Sequence, residues 1–372
     1  MRSLRIKALN LRNRLLASSR FRSFAGAFWP TRYVARHRAS DVFDIVAGFA
    51  YSQTLYACVD LDLFSMLREG PLPRDEIGRR LGLDAEGTRT LLEASTALRL
   101  LESPAPEFFG LGVLGAAIVD DDAIKGMIRH HAHFYRDMAN PVALLKERTS
   151  STALAGYWPY AEGASDEDMD SRAVADYTHL MSSSQPMICE QVHAAYNLGQ
   201  HQHLMDVGGG NGAFLMSAAR EDSKLKLTLF DREPVSQLAR DNLSQNGLLE
   251  RVSVRGGDFT QDDLPIGADV ISLVRILHDH DDDVVLALLR KVRAALPVNG
   301  RVLIAEPLAN TAGSPRMGSV YFSFYLRAMG SGRPRRFEEL REMLGEAGFV
   351  AVQHKKTRIP MLASVVVATT PT

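Results

Sequence analysis

LMDVGGGNG, residues 204–212, follows a short apolar run and stands immediately before a helical apolar pattern. Glycines at such a turn let the backbone approach a ligand closely and leave helix amides pointing at it. The spacing Gly208-x-Gly210-x-x-Ala213 meets the dinucleotide fingerprint, and Asp231 follows at the distance where a carboxylate holds ribose hydroxyls. A nicotinamide enzyme and a purely structural strand-to-helix turn are therefore both compatible with this stretch.

Three further features favour S-adenosylmethionine as the ligand of this turn. Asp206 places a carboxylate directly before the loop, where an ammonium group or a loop amide would lie. Gly257-Asp258-Phe259 follows the third apolar run and offers a carboxylate to an adenine amino group and a ring face to the base. The last two strand-like runs of the chain, joined around Pro360, predict an antiparallel hairpin, which is typical of methyltransferases and unusual in dehydrogenase domains.

The chain from residue 201 onward alternates short apolar runs with helical patterns. Alternation of this kind predicts a mainly parallel sheet with helices on both faces, a Rossmann-like α/β domain. The strands predicted before the terminal hairpin are Leu204–Val207, Leu225–Phe230, Val252–Val254, Ala268–Leu273 and Arg301–Ala305. We therefore expect a seven-stranded sheet over 201–372 and assign cofactor binding to this segment.

The segment before this domain is mostly helical in pattern. Within 41–120, a helix, a tight turn at 82–84, a second helix and a short hairpin give a winged-helix arrangement. The second helix carries Glu86 and Glu93 against two arginines and is electrically neutral, whereas a helix that enters a phosphate-lined groove is basic. The sequence thus argues against nucleic acid as a partner and favours packing against protein. Residues 121–200 are expected to form a helical connector that contributes to the substrate pocket.

These motifs together resemble a known family. The loop at 204–212, the acidic positions after the next two strands and the run RILHD (275–279) look like the S-adenosylmethionine-dependent O-methyltransferases of the plant caffeate/acetylserotonin type. The resemblance covers about residues 40–370; FAYSQTLYACVDLDLF (49–64) and MGSGRPR (329–335) most resemble the bacterial hydroxyneurosporene and demethylspheroidene O-methyltransferases. It implies a class I methyltransferase fold, a homodimer built on the winged-helix module, and S-adenosylhomocysteine as product.

The catalytic residues follow from the chemistry and from this resemblance. An alcohol is a weak nucleophile while it keeps its proton, and a neutral imidazole can accept that proton. His278 follows the fourth strand, where open α/β sheets bind ligands; the resemblance implies His278 as general base, Glu306 as its supporting carboxylate and Arg275 alongside the cofactor. The candidate cofactor contacts are then Asp206, Gly208, Gly210, Gly212, Asp231, Gly257, Asp258, Phe259 and Arg275.

The sequence departs from the family pattern at one position. A second supporting glutamate is expected within 332–336, and Pro334 occupies its place, which leaves His278 with one predicted carboxylate partner.

The acidic run after His278 is interpreted as structural. Asp281–Asp283 precede a helix, so we expect them to cap it, and we interpret Asp279 as a loop brace. Neither this run nor the histidines at 130–133 and 201–203 is interpreted as a metal cluster, and no metal cofactor is predicted.

The candidate acceptor pocket is apolar. Tyr177 and Met181 are one helical turn apart and match family positions that face cofactor and substrate, and Phe322, Tyr325 and Met329 belong to an apolar helix. Aromatic residues at helical spacing also form ordinary cores, but this segment is more apolar than a small phenolic acid requires. We therefore expect a hydrophobic acceptor, and the resemblance implies that it is the tertiary 1-hydroxyl of an acyclic carotenoid. Methylation of a phenolic or other aromatic natural product, and a winged-helix regulator that only senses S-adenosylmethionine, stay open as alternatives.

Composition sets the broad class of the protein. The chain has 372 residues, of which 46% are hydrophobic and 23% charged, as in a soluble protein of about two domains. No uninterrupted apolar run reaches the roughly 18–20 residues of a membrane span. Two cysteines, Cys58 and Cys189, cannot form a disulfide framework, which favours a reducing compartment and predicts a cytoplasmic protein.

The net charge of −1 hides a basic N-terminal arm, residues 1–40. The arm holds ten Lys and Arg residues and no acid, which leaves 33 basic against 44 acidic residues elsewhere. Leu4, Ala8, Leu11 and Leu15 recur at helical spacing, so we expect a basic amphipathic helix in peripheral contact with an anionic inner or photosynthetic membrane. A solvated arm and a transit peptide are the alternatives.

Overall fold

The computed structural model describes residues 2–147, 151–157, 171–311 and 316–372. They form two compact units, one ending at Asp121 and the other beginning at Asp122.

The first unit is mostly helical and carries a small antiparallel sheet. Its helices are α1 (Arg2–Ala17), α2 (Ser19–Ala27), α3 (Arg32–Asp60), α4 (Leu63–Met66), α5 (Arg74–Leu81), α6 (Ala85–Ala97) and α7 (Val113–Ala116), and its strands are β1 (Leu72–Pro73), β2 (Leu101–Ala105) and β3 (Phe108–Leu111). Strand β3 pairs with both β1 and β2. Helix α5 ends at Gly82 in the left-handed conformation, and the Asp84 carboxylate caps α6 by accepting from the Gly87 amide. The helix–turn–helix–hairpin order is the predicted winged helix.

The N-terminal arm is helical in the structure. The leucines of the predicted stripe on α1 are exposed, with 73% of Leu4, 62% of Leu11 and 45% of Leu15 accessible. Within the described ranges, α3 is long and apolar enough to cross a membrane by length and composition. The sequence analysis predicted no membrane span because it looked for uninterrupted apolar runs. Helix α3 did not meet that criterion, since Asp41 and Asp44 interrupt its apolar residues.

The second unit is built on a seven-stranded sheet. Its strands are β4 (His203–Val207), β5 (Lys226–Asp231), β6 (Val252–Gly256), β7 (Val270–Val274), β8 (Arg301–Glu306), β9 (Val350–Lys355) and β10 (Ser364–Thr369), in the order β6-β5-β4-β7-β8-β10-β9. The first five strands are parallel, and β10 runs antiparallel to both β8 and β9. The predicted fold class, with its terminal antiparallel hairpin, is confirmed.

Helices cover both faces of this sheet. They are α8 (Asp122–Met138), α9 (Pro141–Lys146), α10 (Ser171–Ser183), α11 (Gln185–Ala195), α12 (Ala213–Glu221), α13 (Glu233–Gln245), α14 (Asp282–Ala295), α15 (Phe322–Met329) and α16 (Phe337–Glu346), with a π-helix at Met317–Tyr321. Successive strand residues point to opposite faces, so Leu204 packs in the core with α11–α13 while Met205 packs with α14 and α16. Strand β7 is buried along its whole length, as expected for a parallel strand covered on both faces.

The strand order fixes where a ligand binds. From β4 the chain winds outward through β5 and β6, then returns to the other side of β4 as β7. Connections from β4 and β7 therefore leave the sheet in opposite directions and open a crevice at the carboxyl edge.

Candidate active site

A cavity of about 1340 Å³ lies at the carboxyl edge of the large sheet, within the second unit. Its lower part is formed by the loops that follow β4, β5, β6 and β7, and its upper part by α8, α10, α11 and α15. Most of the predicted site residues line it. Asp206, Gly212 and Glu306 do not line it but lie next to residues that do: Glu306 accepts from the Ile276 amide, the Gly212 amide donates to the Gly209 carbonyl, and Asp206 lies against Gly209.

The glycine loop is shaped by three positive φ angles, at Gly208 (71°), Gly210 (57°) and Gly212 (84°). A Cβ at Gly208 would lie 2.3 Å from Cδ1 of Ile276, so a side chain there would have to displace Ile276 as well as adopt a positive φ. A Cβ at Gly210 would meet nothing within 4 Å, because the backbone there opens on the cavity. The loop therefore leaves room for a ligand at Gly210, in the left-handed conformation that glycine tolerates best.

Asp206 is buried behind the loop and is 2% exposed. Its Oδ1 accepts a hydrogen bond of 2.6 Å from the Ser272 hydroxyl. Burial raises the pKa of Asp206 to about 7, the Ser272 hydrogen bond lowers it, and the charge of Asp231 raises it further. The contact of Asp206 with a ligand's ammonium group stays a prediction, since this carboxyl group lies behind Gly209 and is bonded to Ser272.

Asp231, at the end of β5, supports the loop as well as lining the cavity. Its Oδ2 accepts from the Gly210 amide and its Oδ1 from the Arg232 amide, both at 2.8 Å. The contact with ribose hydroxyls stays a prediction, since this carboxylate already fixes the loop that would face them.

The Gly257 triplet follows β6 and lines the same cavity. A Cβ at Gly257 would lie 2.6 Å from Cζ of Phe230, so only glycine fits there. Asp258 accepts hydrogen bonds from the amide and the hydroxyl of Thr260 (2.8 and 2.7 Å), and the Phe259 ring packs edge-on against His280. The aromatic face and the carboxylate predicted to meet adenine are thus both at the cavity wall.

Arg275 connects the sheet to the helical part of the cavity. Its backbone has a φ of 60°, a strained value for arginine, and its amide donates to the Ala305 carbonyl. Its guanidinium donates to the Ser184 hydroxyl at 2.8 Å and contacts Sδ of Met181 at 3.6 Å. The predicted cofactor-side arginine therefore also positions α10 and its substrate-side methionine.

His278 and Glu306 form a buried pair, 5% and 3% exposed. The Glu306 Oε2 bonds to Nδ1 of His278, and its Oε1 accepts from the amides of Ile276 and Leu277 at 3.0 and 2.7 Å. Both oxygens of the Glu306 carboxylate are therefore bonded to the turn that carries His278. These contacts hold the imidazole in one orientation, with Nδ1 toward Glu306. The other ring nitrogen, Nε2, lies on the opposite side of the ring, next to Asp279.

Asp279 supplies a second carboxylate to the same imidazole. Its Oδ1 lies 3.2 Å from Nε2 of His278, which corrects two expectations: that Asp279 only braces the loop, and that His278 has one carboxylate partner. Burial disfavours the imidazolium, but the charges of Asp279 and Glu306 outweigh it, so the pKa of His278 is raised above its ordinary value. His278 thus has a second carboxylate neighbour although Pro334 offers none, and it is supplied by the residue that directly follows His278 in the chain.

The turn that carries His278 is clamped from outside by a buried arginine. Arg335 is 3% exposed and donates to the carbonyls of Leu277 and His280 at 2.6 and 2.8 Å. Its guanidinium also binds the Asp282 carboxylate at 2.7 Å. The sequence analysis did not predict this contact. The feature that could have indicated it is Arg-Pro-Arg, residues 333–335, at the end of the MGSGRPR motif.

The predicted capping role of Asp281–Asp283 is largely wrong. Asp281 occupies the N-cap position of α14 but makes no side-chain cap bond, since its carboxylate accepts from the Gly332 amide at 3.0 Å. A Cβ at Gly332 would lie 2.1 Å from the His278 carbonyl oxygen, so this glycine is required beside the turn. The carboxylates of Asp281 and Asp282 therefore bind the segment 332–335, about fifty residues later in the chain, while Asp282 and Asp283 lie in the first turn of α14, where their charge favours the helix dipole.

The upper part of the cavity is apolar and rich in methionine. Phe322 lies edge-on to His278 with 5.9 Å between ring centroids, and Tyr325 bonds to Nε2 of His130 at 2.9 Å. The predicted acceptor residues Tyr177, Met181, Phe322, Tyr325 and Met329 all line this part, together with Ile124, Met127, Ile128, Met187 and Met317, which were not predicted. Methionine is flexible and adapts to long apolar ligands.

The histidine groups serve packing and hydrogen bonding. Within the described ranges, no group of three or more His, Cys, Asp or Glu residues is placed to hold a metal ion. His130 stacks among aromatic rings, His201 bonds to Asp269, and His203 bonds to Thr228.

Comparison with known proteins places these features in a family. Residues 43–119 match the family profile of the O-methyltransferase dimerisation domain, and residues 135–350 match that of the O-methyltransferase domain. The chain is 40% identical to demethylspheroidene O-methyltransferase of Cereibacter sphaeroides, over 96% of this chain and 94% of that protein. It is 39% identical to the enzyme of the same name from Rhodobacter capsulatus, over 90% and 83% of the two chains.

A solved structure shows the same fold. The human N-acetylserotonin methyltransferase in complex with S-adenosylmethionine superimposes with a TM-score of 0.76, at 24% identity, over 90% of this chain and 98% of that one.

Proposed function

The chain belongs to the S-adenosylmethionine-dependent O-methyltransferases that carry an N-terminal dimerisation domain, and on that premise we propose that it methylates the tertiary 1-hydroxyl of an acyclic carotenoid, with His278 as base. The observation that carries the proposal is the cavity itself. It leads from the glycine loop past a carboxylate-bound histidine into a chamber lined by methionines and aromatic rings.

The residues of the cavity have separate tasks. Bound S-adenosylmethionine supplies an electrophilic methyl group on its sulfonium, and the glycine loop and the Gly257 triplet line the part of the cavity that fits it. Neutral His278 accepts the hydroxyl proton of the acceptor on Nε2, while Glu306 holds the Nδ1 proton and steadies the cation that forms.

The apolar chamber favours a long hydrophobic acceptor over a small phenol. Phe322 lies edge-on to His278, and Met127, Met181, Met187, Met317 and Met329 line the same cavity, which gives a long apolar chain extensive contact. The guanidinium of Arg275, a lining group that would suit a phenolic acid's carboxylate, already donates to Ser184. Two 39–40% identical relatives are named as demethylspheroidene O-methyltransferases, which supports the same substrate class.

An acceptor panel tests this assignment. We expect methyl transfer from labelled S-adenosylmethionine to a detergent-solubilised 1-hydroxy carotenoid to exceed transfer to phenolic acids by at least about a hundredfold in kcat/KM, because a buried polar group without a partner costs several kcal/mol. Preferential methylation of a phenol would favour the aromatic natural-product alternative. Binding of S-adenosylmethionine without methylation of either the carotenoid or the phenolic acceptors would favour a regulator that only senses the cofactor. Such a regulator has no use for the His278–Glu306 pair.

The charge around His278 predicts the pH dependence of turnover. The base works only when neutral, so activity should rise with pH through the raised pKa of His278. Asp279→Asn removes one of the two charges that raise this pKa, and we expect the acidic limb of the kcat/KM profile to move to lower pH. Asp283→Asn, in the first turn of α14 and not among the charges that shift the pKa of His278, serves as the control and should leave the limb in place. An unmoved limb in Asp279→Asn would show that this carboxylate does not act on the base.

The dimerisation domain supports a homodimer as the working form of the protein. Helix α3 exposes Val42, Phe43, Ile45, Val46 and Phe49, and the matched profile begins at residue 43. The dimerisation-domain profile includes the carboxyl-terminal half of α3. We therefore assign the apolar surface of α3 to a partner subunit and not to a lipid bilayer.

The basic arm supports peripheral contact with an anionic membrane. At 100° per residue, Leu4, Leu11 and Leu15 fall on one stripe of α1, with Arg5 and Arg12 on one flank and Lys7 and Arg14 on the other. Bases flanking an exposed apolar stripe suit a helix that lies in the headgroup region.

Neutralising these four bases tests the arm. We expect the variant with Arg5, Lys7, Arg12 and Arg14 changed to glutamine to bind phosphatidylglycerol vesicles at least about tenfold more weakly at low salt, since each base near the surface contributes about 1 kcal/mol. Co-sedimentation measures the change, and wild-type binding should itself fall as salt is raised. The matched control neutralises four exposed bases of the second unit, Arg220, Lys224, Lys226 and Arg341. Equal loss in both variants would assign the effect to net charge and remove the arm as a specific contact.

A further inference from the structure

Two segments at the mouth of the acceptor cavity carry exposed apolar and basic side chains that have no role in methyl transfer. The connection between β9 and β10 lies at the carboxyl edge of the sheet, because Ser364, the first residue of β10, pairs with Glu306, the last residue of β8. Met361 and Leu362 of this connection line the cavity. A second segment, Met317–Tyr321, also contributes to the lining through Met317 and Tyr321. We call the outer surface of these two segments the pocket rim.

The pocket rim combines exposed apolar side chains with exposed bases. On the β9–β10 connection, 44% of Ile359 and 41% of Met361 are accessible, and Lys356 and Arg358 beside them are exposed. On the second segment, Val320 is 55% accessible and Arg316 precedes it as an exposed base. Met361 belongs to both surfaces, since it lines the cavity and faces solvent.

The bases of the rim are available to an external anion. Arg358 lies 3.8 Å from Glu190, and the two side chains are 73% and 66% exposed. A solvated pair of this kind contributes little to stability, so a phosphate group can replace the carboxylate at small cost. The rim is also locally basic in a chain whose residues outside the N-terminal arm carry a net negative charge.

We propose that the pocket rim docks on an anionic lipid surface, so that the acceptor passes from the bilayer into the cavity past Met361. The lipid contact follows from the rim's own charge and exposure, whereas passage of the acceptor rests on the proposed carotenoid substrate. Bases placed next to Ile359 and Met361 let phosphates pair with charge while the apolar side chains enter the headgroup region. The continuity of these side chains with the cavity lining gives a hydrophobic acceptor a path that avoids water.

A fluorophore on the rim tests the contact directly and separately from the basic arm. Both native cysteines are buried, and burial raises the pKa of Cys189 to about 11, so a thiol introduced by Ile359→Cys is labelled selectively. An environment-sensitive dye there should shift its emission to the blue with vesicles containing phosphatidylglycerol and much less with phosphatidylcholine alone. The matched control is the dye on Ser223→Cys, an exposed position at the opposite, amino edge of the sheet, which should show no shift.

Charge reversal gives the second measurement. In full-length protein carrying the dye at position 359, Lys356→Glu with Arg358→Glu should raise the phosphatidylglycerol concentration needed for half of the shift by about tenfold, given the known contribution of surface bases. The same reversal at Lys224 and Lys226 should not. Turnover on a detergent-solubilised acceptor should be unchanged in both variants.

The outcomes separate the rim from the substrate. No shift at position 359 while the protein co-sediments with vesicles would overturn the rim contact and leave the arm as the anchor. A shift that appears with rising protein concentration and no vesicles would mean that a second copy of the chain covers the rim, which also overturns the proposal. A lipid-dependent shift without carotenoid turnover would retain the contact and reject the carotenoid acceptor.

Discussion

Replacing His278 by alanine lowers turnover by about 10²–10⁴-fold while the affinity for S-adenosylmethionine stays within a few-fold of wild type, because a positioned general base contributes about that much to the rate. The imidazole lies beside the cavity with Nδ1 bonded to Glu306, so its loss removes the proton acceptor and leaves the glycine loop and Asp206 intact. Steady-state kinetics with saturating acceptor and calorimetric titration of the cofactor measure the two quantities separately.

The matched control for this variant is His354→Ala. His354 lies on β9, is exposed, and stacks on Phe337 away from the cavity lining. It should turn over at the wild-type rate. If His278→Ala retained turnover within tenfold of wild type, proximity of the two substrates alone would drive the reaction and His278 would not be the base.

The sequence predicted the fold because the relevant signals are periodic and local. Short apolar runs alternating with helical patterns specify a parallel sheet, and the strands predicted at 204–207 and 301–305 differ from β4 and β8 by one residue at one end of each. The loops after the parallel strands were predicted to form the site because parallel strands bring their carboxyl ends to one edge, whereas the roles of Glu306 and Arg275 were implied by the family resemblance.

Side-chain direction was less predictable, because it depends on partners that are distant in the chain. Asp279 follows His278 directly, and nothing in that adjacency tells whether its carboxylate turns back to Nε2 or out to solvent. Asp281 and Asp282 stand at the start of α14, a position typical of capping residues. Their carboxylates nevertheless bind the Gly332 amide and the Arg335 guanidinium.

One missed residue did have a sequence signal. Ser272 is a lone polar residue inside the apolar run of β7, and a buried hydroxyl needs a partner. That partner is Asp206 on the adjacent strand, at 2.6 Å. A polar residue in a continuous apolar strand thus identifies the strand that supports the cofactor-side carboxylate.

Replacing Glu306 by glutamine is expected to inactivate the enzyme almost as completely as removing His278, through the tautomer of the imidazole. The amides of Ile276 and Leu277 both donate to Oε1, so the glutamine oxygen must stay there and its NH₂ group must face Nδ1 of His278. Nδ1 then accepts a hydrogen bond, the ring proton moves to Nε2, and the nitrogen that faces the acceptor can no longer take its proton. We expect turnover to fall on the order of 10²–10⁴-fold, the scale of the corresponding change in other histidine–carboxylate pairs.

The pH profile distinguishes this tautomer effect from a merely structural loss. Raising the pH restores a base that is inactive because it is protonated, but it cannot restore one whose proton sits on the wrong nitrogen, so Glu306→Gln should stay inactive across the alkaline range. Glu342→Gln, an exposed glutamate on α16, is the matched control and should keep the wild-type profile. Thermal unfolding and cofactor affinity close to wild type would confirm that the fold is retained, because the variant keeps the two backbone hydrogen bonds. Turnover of Glu306→Gln within about tenfold of wild type would show that the carboxylate does not set the tautomer of His278, and the catalytic pair would then need another arrangement.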